Sequence, residues 1–398
     1  MGVVHLGERP APSQPPRGFA PFALGFRPFF SLAALSGLIL MLLWLGLWQT
    51  ATPVQYYGNV GWHSHEMLFG FAVAIIAGFL LTAVRNWTGI DTLVHTPLAM
   101  LALLWLLGRI APFVPNIPAP VITLLDLAFL PLLALALYGP LIQAENRINR
   151  IFLPLIGAMF LANLLVHLES LGITGTGRQG INLMTSLILL LVILVSGRVI
   201  PFFTEKAVRG SQPRFNTQRE RIVFVAIGLW ILVELFLPLP WLLGVAALFV
   251  ATTQAWRLYD WHHPGVWRIP ILWVLFSGMI WLIVGFLLKG LAAFTLFPDN
   301  LATHALTAGA IGVLTFGMMA RVSLGHTGRE INPPRLIGFS FLILNLAVLF
   351  RVFGPLLPIG SYSHWVMLSG TGWALCYLLF VIYYLKILIS PRIDGRPG

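Results

Sequence analysis

The chain has 398 residues, of which 58% are hydrophobic and only 9% charged, with a formal net charge of +11. Typical soluble domains carry roughly a quarter charged residues, so this composition excludes a water-soluble enzyme and defines an integral membrane protein. The positive charge is spread along the chain as a topology signal, which excludes a nucleic-acid-binding role.

Residues 1–27 are rich in proline and arginine and contain no signal-peptide core or small-residue cleavage site, so the first span is expected to be retained. A bilayer core of about 30 Å takes roughly 20 apolar residues per helix. Apolar runs between Pro, Gly and charged punctuation predict spans near 28–48, 62–84, 93–112, 118–142, 147–171 and 179–205. Six more follow near 219–237, 239–257, 268–294, 301–323, 334–355 and 361–390. The expected fold is an all-α polytopic membrane protein of about 12 transmembrane helices. Its domain organisation is an N-terminal segment (1–27), one membrane domain (28–390) and a tail (391–398).

Of the 24 Lys and Arg residues, 20 fall nearest the face that holds both termini. The other four are Arg109, Arg178, Lys289 and Arg351. The positive-inside rule then puts both termini in the cytoplasm. The longest polar connection, "TEKAVRGSQPRFNTQRER" at 204–221, reads as a solvated cytoplasmic loop. The single cysteine, Cys376, lies in an apolar run, so neither an internal disulfide nor a CxxC metal site is available.

A period of about 120 residues runs through the chain. Arg27, Arg147 and Arg268 precede spans one, five and nine, and ten residues after each comes Gly37, Gly157 or Gly278. Gly78, Gly197 and Gly317 recur late in spans two, six and ten, and Tyr138 and Tyr259 share one register. These columns predict three repeats of four helices, about 28–146, 147–267 and 268–390, with functional groups where the units meet. Setting His65 on His304 also aligns Gly70 with Gly309 and "TG" at 88–89 with "TG" at 327–328.

On the predicted topology, His63, His65 and Glu66 lie near the outer face at the start of span two, and His304 near the start of span ten. Two imidazoles from different helices can hold a haem from both faces, leaving no open iron position. His65 and His304 are the expected pair, with Arg351 or Lys289 placed to meet haem propionates. The plainer alternative is interfacial histidines bonded to carbonyls or water. Two residues turn a helix by about 200°, so His63 faces away from His65, and Glu66 is expected on the side of His63. His63 and His167 with a carboxylate, such as nearby Glu169, offer a candidate copper site, against the plainer reading of a helix-end polar cluster. Asp126, Arg198, Lys289 and Arg351 are charges inside spans, and Asp126 with Lys289 is the expected structural ion pair. His326 is expected to cap a turn.

"FRPFF" at 26–30, "WHSHEMLFGF" at 62–71, "GRVIPFFTEKAV" at 197–208 and "RVSLGHTGRE" at 321–330 resemble the NnrS family of bacterial membrane proteins over nearly the whole length. The resemblance implies an inner-membrane protein containing haem, of b type, and copper, linked to denitrification and the response to nitric oxide. The three-by-four architecture also resembles the haem-copper oxidase catalytic subunit, where helices two and ten hold the low-spin haem. The chain departs from those oxidases in having no histidine within spans six and seven, so an oxidase-type binuclear centre is absent.

Three functions remain open on these grounds. One is electron transfer or redox sensing, with nitric oxide and a redox donor such as a quinol or a periplasmic carrier as partners. The second is a transporter or channel for a small solute, and the third an enzyme acting on nitric oxide at a different metal site.

Overall fold

The computed structural model describes residues 18–50 and 54–396, so most of the N-terminal segment lies outside it. Twelve long helices account for most of the described residues, and none of these residues forms a strand. They are α1 (Phe26–Gln49), α2 (Asn59–Thr88), α3 (His95–Phe113), α4 (Ala119–Gln143), α5 (Arg147–Ser170) and α6 (Gly177–Ala207). Next come α7 (Thr217–Phe236), α8 (Pro240–Trp261), α9 (Pro270–Ala293), α10 (Asp299–Gly325), α11 (Arg335–Leu356) and α12 (Tyr362–Ile389). Eleven are long and apolar enough to cross a membrane; α7 is as long but carries Arg219, Glu220, Arg221 and Glu234. Each matches an expected span to within a few residues. The protein is a multi-pass membrane protein, and the lipid bilayer is its surrounding.

Local chemistry sets the ends. Pro240 and Pro270 open α8 and α9, where a missing N–H costs nothing. The Asn216 side chain accepts from Gln218 N and Arg219 N to cap α7, and Ser361 with His364 forms a capping box on α12. Gly89 stops α2 in the left-handed conformation at φ +69°.

Helix α1 packs on both α2 and α12, which brings the two ends of the chain together. The Arg27 guanidinium seals that contact by donating to the carbonyls of Leu388 (2.9 Å) and Ser390 (2.5 Å). The most enclosed span is α2, with 89% of its apolar window buried. Helix α6 meets α2 and α10 chiefly along two π-helical stretches, Glu66–Ala72 and Ala305–Val313. Each begins one residue after His65 or His304, so the irregularity falls at the register that aligns these two histidines. π-helical turns occur disproportionately at functional sites.

Candidate metal and cofactor sites

The helical turn between His63 and His65 sends the two imidazoles into different sites. His65 is completely buried, sandwiched between the Tyr57 ring (centroids 4.3 Å apart) and the Phe69 ring (4.9 Å). Its Nε2 lies 3.0 Å from Asn163 Oδ1 and 3.3 Å from Asp126 Oδ2. His167 Nε2 approaches the same Asp126 oxygen at 2.9 Å. One nitrogen from each histidine and one Asp126 oxygen lie within 4.8 Å of one another, a spacing at which all three can reach one ion. Both rings are held from behind. His65 Nδ1 faces Glu66 Oε1 at 3.1 Å, and His167 Nδ1 faces the Tyr56 hydroxyl at 2.9 Å, itself 2.6 Å from Thr123 Oγ1. An ion at this position would take the lone pair of each Nε2, with each Nδ1 donating outward as in metal-bound imidazoles; the Nε2 atoms face the oxygens of Asp126 and Asn163. Arg109 pairs with Asp126 Oδ1 and lies 3.4 Å from Glu66 Oε2. Two carboxylates therefore face one guanidinium, and the cluster keeps one net negative charge to offer a cation.

The second site takes His63 from α2, His304 from α10 and Arg351 from α11. They line one cavity of about 420 Å³ with apolar and small residues, including Ala308, Ala347 and Gly370. His63 stacks on Trp44, with centroids 4.2 Å apart and planes 16° from parallel. His304 Nδ1 lies 2.7 Å from the Asn300 carbonyl, which can only accept, so Nδ1 carries the proton and Nε2 the lone pair. Arg351 donates from Nη2 to the Tyr362 hydroxyl at 3.0 Å, whereas its buried Nη1 has no hydrogen-bond partner among the described residues.

The expected pairings are therefore exchanged. His304 shares its cavity with His63, while the ring contacts and hydrogen bonds of His65 all come from α2, α4, α5 and the segment before α2. His167 joins His65, and its carboxylate partner is Asp126; Glu169 instead accepts from Gly177 N at the start of α6. Glu66 sits beside its chain neighbour His65, with Oε1 3.1 Å from His65 Nδ1, rather than with His63. Asp126 does not meet Lys289: its cation is Arg109, and Lys289 donates to Asp299 at 2.7 Å near the end of α9. Arg198 donates to Asn149 Oδ1 at 2.7 Å.

Asn163, Tyr56 and Tyr57 escape the sequence reading. Asn163 stands one helical turn before His167, an i, i+4 relation that could have found it. The tyrosines lie in the connection before α2, where no periodicity operates. A further buried network also goes unseen at the other end of the molecule. Glu220 binds Arg219 (2.9 Å) and Arg257 (2.5 Å), and Arg219 also binds Asp260.

These features define an all-α, multi-pass membrane protein with two histidine sites, one buried and one half-buried, at one end of its helices. The chain belongs to the NnrS protein family, whose model matches residues 20–392. No curated protein matches it.

Proposed function

We propose that this protein is a redox protein of the nitric oxide response in the bacterial inner membrane, with a b-type haem at His63 and His304 and copper at His65, His167 and Asp126. The observation that carries this reading is the cavity in which imidazoles from α2 and α10 meet beside a buried guanidinium nitrogen without a partner. Arg351 Nη1 is free to donate to a propionate. The other donor set, two imidazole nitrogens and a carboxylate oxygen, suits copper or zinc.

When bound, haem and copper each supply one-electron chemistry. The chain's own contribution is orientation and exclusion of water. Asn300 O fixes the His304 tautomer and Trp44 sets the His63 plane, while Glu66 and Tyr56 hold the outer nitrogens of His65 and His167. Family membership supports the link to nitric oxide, and the positive-inside bias supports cytoplasmic termini. A path for a charged solute fits less well, because the central cavity between α2, α6 and α10 is lined almost wholly by apolar side chains.

Haem and copper content of the purified protein, read by visible spectroscopy and elemental analysis, tests the assignment. His63→Ala and His304→Ala are expected to lose the haem spectrum, and His65→Ala to keep it while losing copper. Haem lost from His65→Ala but retained by His63→Ala would return the iron to the pairing expected from sequence.

A further inference from the structure

Helix α6 touches α2 and α10 chiefly at their π-helical stretches, and away from these the three helices, with Phe30 of α1 and Leu275 of α9, line a partly open cavity. Ile76, Phe79, Val195, Leu275 and Met318 are among its walls. Its two hydroxyls are already committed: Ser196 Oγ donates to Ile193 O (3.2 Å) and Thr315 Oγ1 to Ile311 O (2.7 Å). A cavity so lined offers water no partners and takes apolar matter instead.

Arg321 follows the lining residue Met318 by one turn and precedes Val322, another lining residue, and Phe203 follows Val199 by one turn. Arg321 is only 8% exposed, and its guanidinium carbon sits 3.6 Å above the Phe203 ring. Among the described residues it has no ion pair and no hydrogen bond, unlike Arg109, Arg219 and Arg257, each of which is matched to a carboxylate. A buried cation is costly, and the face of one ring offsets only part of that cost. An oxygen acceptor would offset more.

We propose that this cavity binds a membrane amphiphile, its apolar body between α2, α6 and α10 and its oxygen-acceptor head on Arg321. A quinone and a fatty acid share this chemistry; an ionic solute does not, because the walls give it no partner. The proposal is independent of the histidine sites.

The protein in phosphatidylcholine nanodiscs would be titrated with decylubiquinone, oleate and dodecane, and binding followed by native mass spectrometry. Saturable binding of decylubiquinone or of oleate is expected, weakened about tenfold or more by Arg321→Gln through loss of a charge-assisted hydrogen bond. Ile76→Trp, which fills the cavity, is expected to weaken it similarly, and Arg321→Lys to restore part of it. Decylubiquinone alone identifies the quinone pool as the source, and oleate alone the lipid acids. Dodecane bound as tightly, binding unchanged in Arg321→Gln, or no saturable binding would each overturn the proposal. An unchanged far-ultraviolet circular dichroism spectrum shows that each variant folds, and Ile76→Trp carries the test if Arg321→Gln does not.

Discussion

Asp126 concentrates more of the energetics of the His65–His167 site than either histidine. Its carboxylate accepts from Asn163 Nδ2 (2.7 Å), pairs with Arg109 and faces both imidazoles, while only 5% exposed. Breaking a buried pair by removing one partner typically costs about 3–5 kcal/mol, because the other charge is stranded. Asp126→Leu is therefore expected to lower thermal stability by up to that order, and the triple variant Glu66→Gln/Arg109→Met/Asp126→Leu, which leaves no charge of this group stranded, by clearly less. Unfolding midpoints in detergent measure both; equal losses would show that the three charges do not act as a unit. The charges themselves were legible in the sequence as intramembrane residues, but their partners were not. Depth along a helix can be estimated from chain position, whereas the choice between Arg109 and Lys289 depends on which helices are neighbours, and α3 packs on α4.

His326 adds a titration outside the spans. Burial and the nearby Arg392 hold its pKa below the ordinary 6.5, so the folded chain keeps the ring neutral. As pH falls through about 6.5, the unfolded chain takes up a proton that the folded chain resists, and stability declines. Arg392→Gln removes one cause of the depression and should flatten that decline. The experiment compares unfolding midpoints at pH 7.5 and 5.5, and an unchanged difference would remove His326 as the titrating group.

At the scale of the helix, the glycine columns divide by what they touch. A Cβ on Gly37 would meet the Tyr377 ring at 2.8 Å, and one on Gly278 would meet Leu314 Cγ at 2.5 Å and its backbone N at 3.0 Å. At Gly157 it would meet nothing within 4 Å, and that residue is exposed on the outer surface of α5. The same column thus marks close packing in the first and third units and open surface in the second. Gly278→Ala is expected to destabilise by roughly 1–3 kcal/mol through overpacking. Gly157→Ala should stabilise by about 0.5–1 kcal/mol through lost backbone freedom. Thermal unfolding of the two variants checks both signs. The contrast also explains what sequence periodicity missed. Spacing aligns positions but not their surroundings: the side chains of Phe29 and Phe30 lie beneath Gly78, whereas the Arg257 guanidinium lies beside Gly197. The two π-helical stretches were equally invisible, since no side-chain pattern distinguishes a slightly widened turn from an ordinary helix.

Over the whole molecule, hydropathy and punctuation were enough to place all twelve helices, because bilayer thickness fixes their length and every unpaired backbone group in lipid is penalised. Orientation rests on a different force. The segment 204–221 carries five Lys and Arg residues, and such clusters are retained on the cytoplasmic side. Cys376, the only cysteine, is fully buried and its Sγ lies 3.2 Å from the Ser340 carbonyl, so it should react little with thiol reagents. A cysteine introduced at Gln212 in that loop should therefore resist a membrane-impermeant maleimide in intact cells and react in inverted vesicles. One at Asn116, between α3 and α4, should do the opposite. Labelling of Gln212→Cys from outside would invert the topology and carry both histidine sites to the cytoplasmic face, where a periplasmic electron carrier could not reach them.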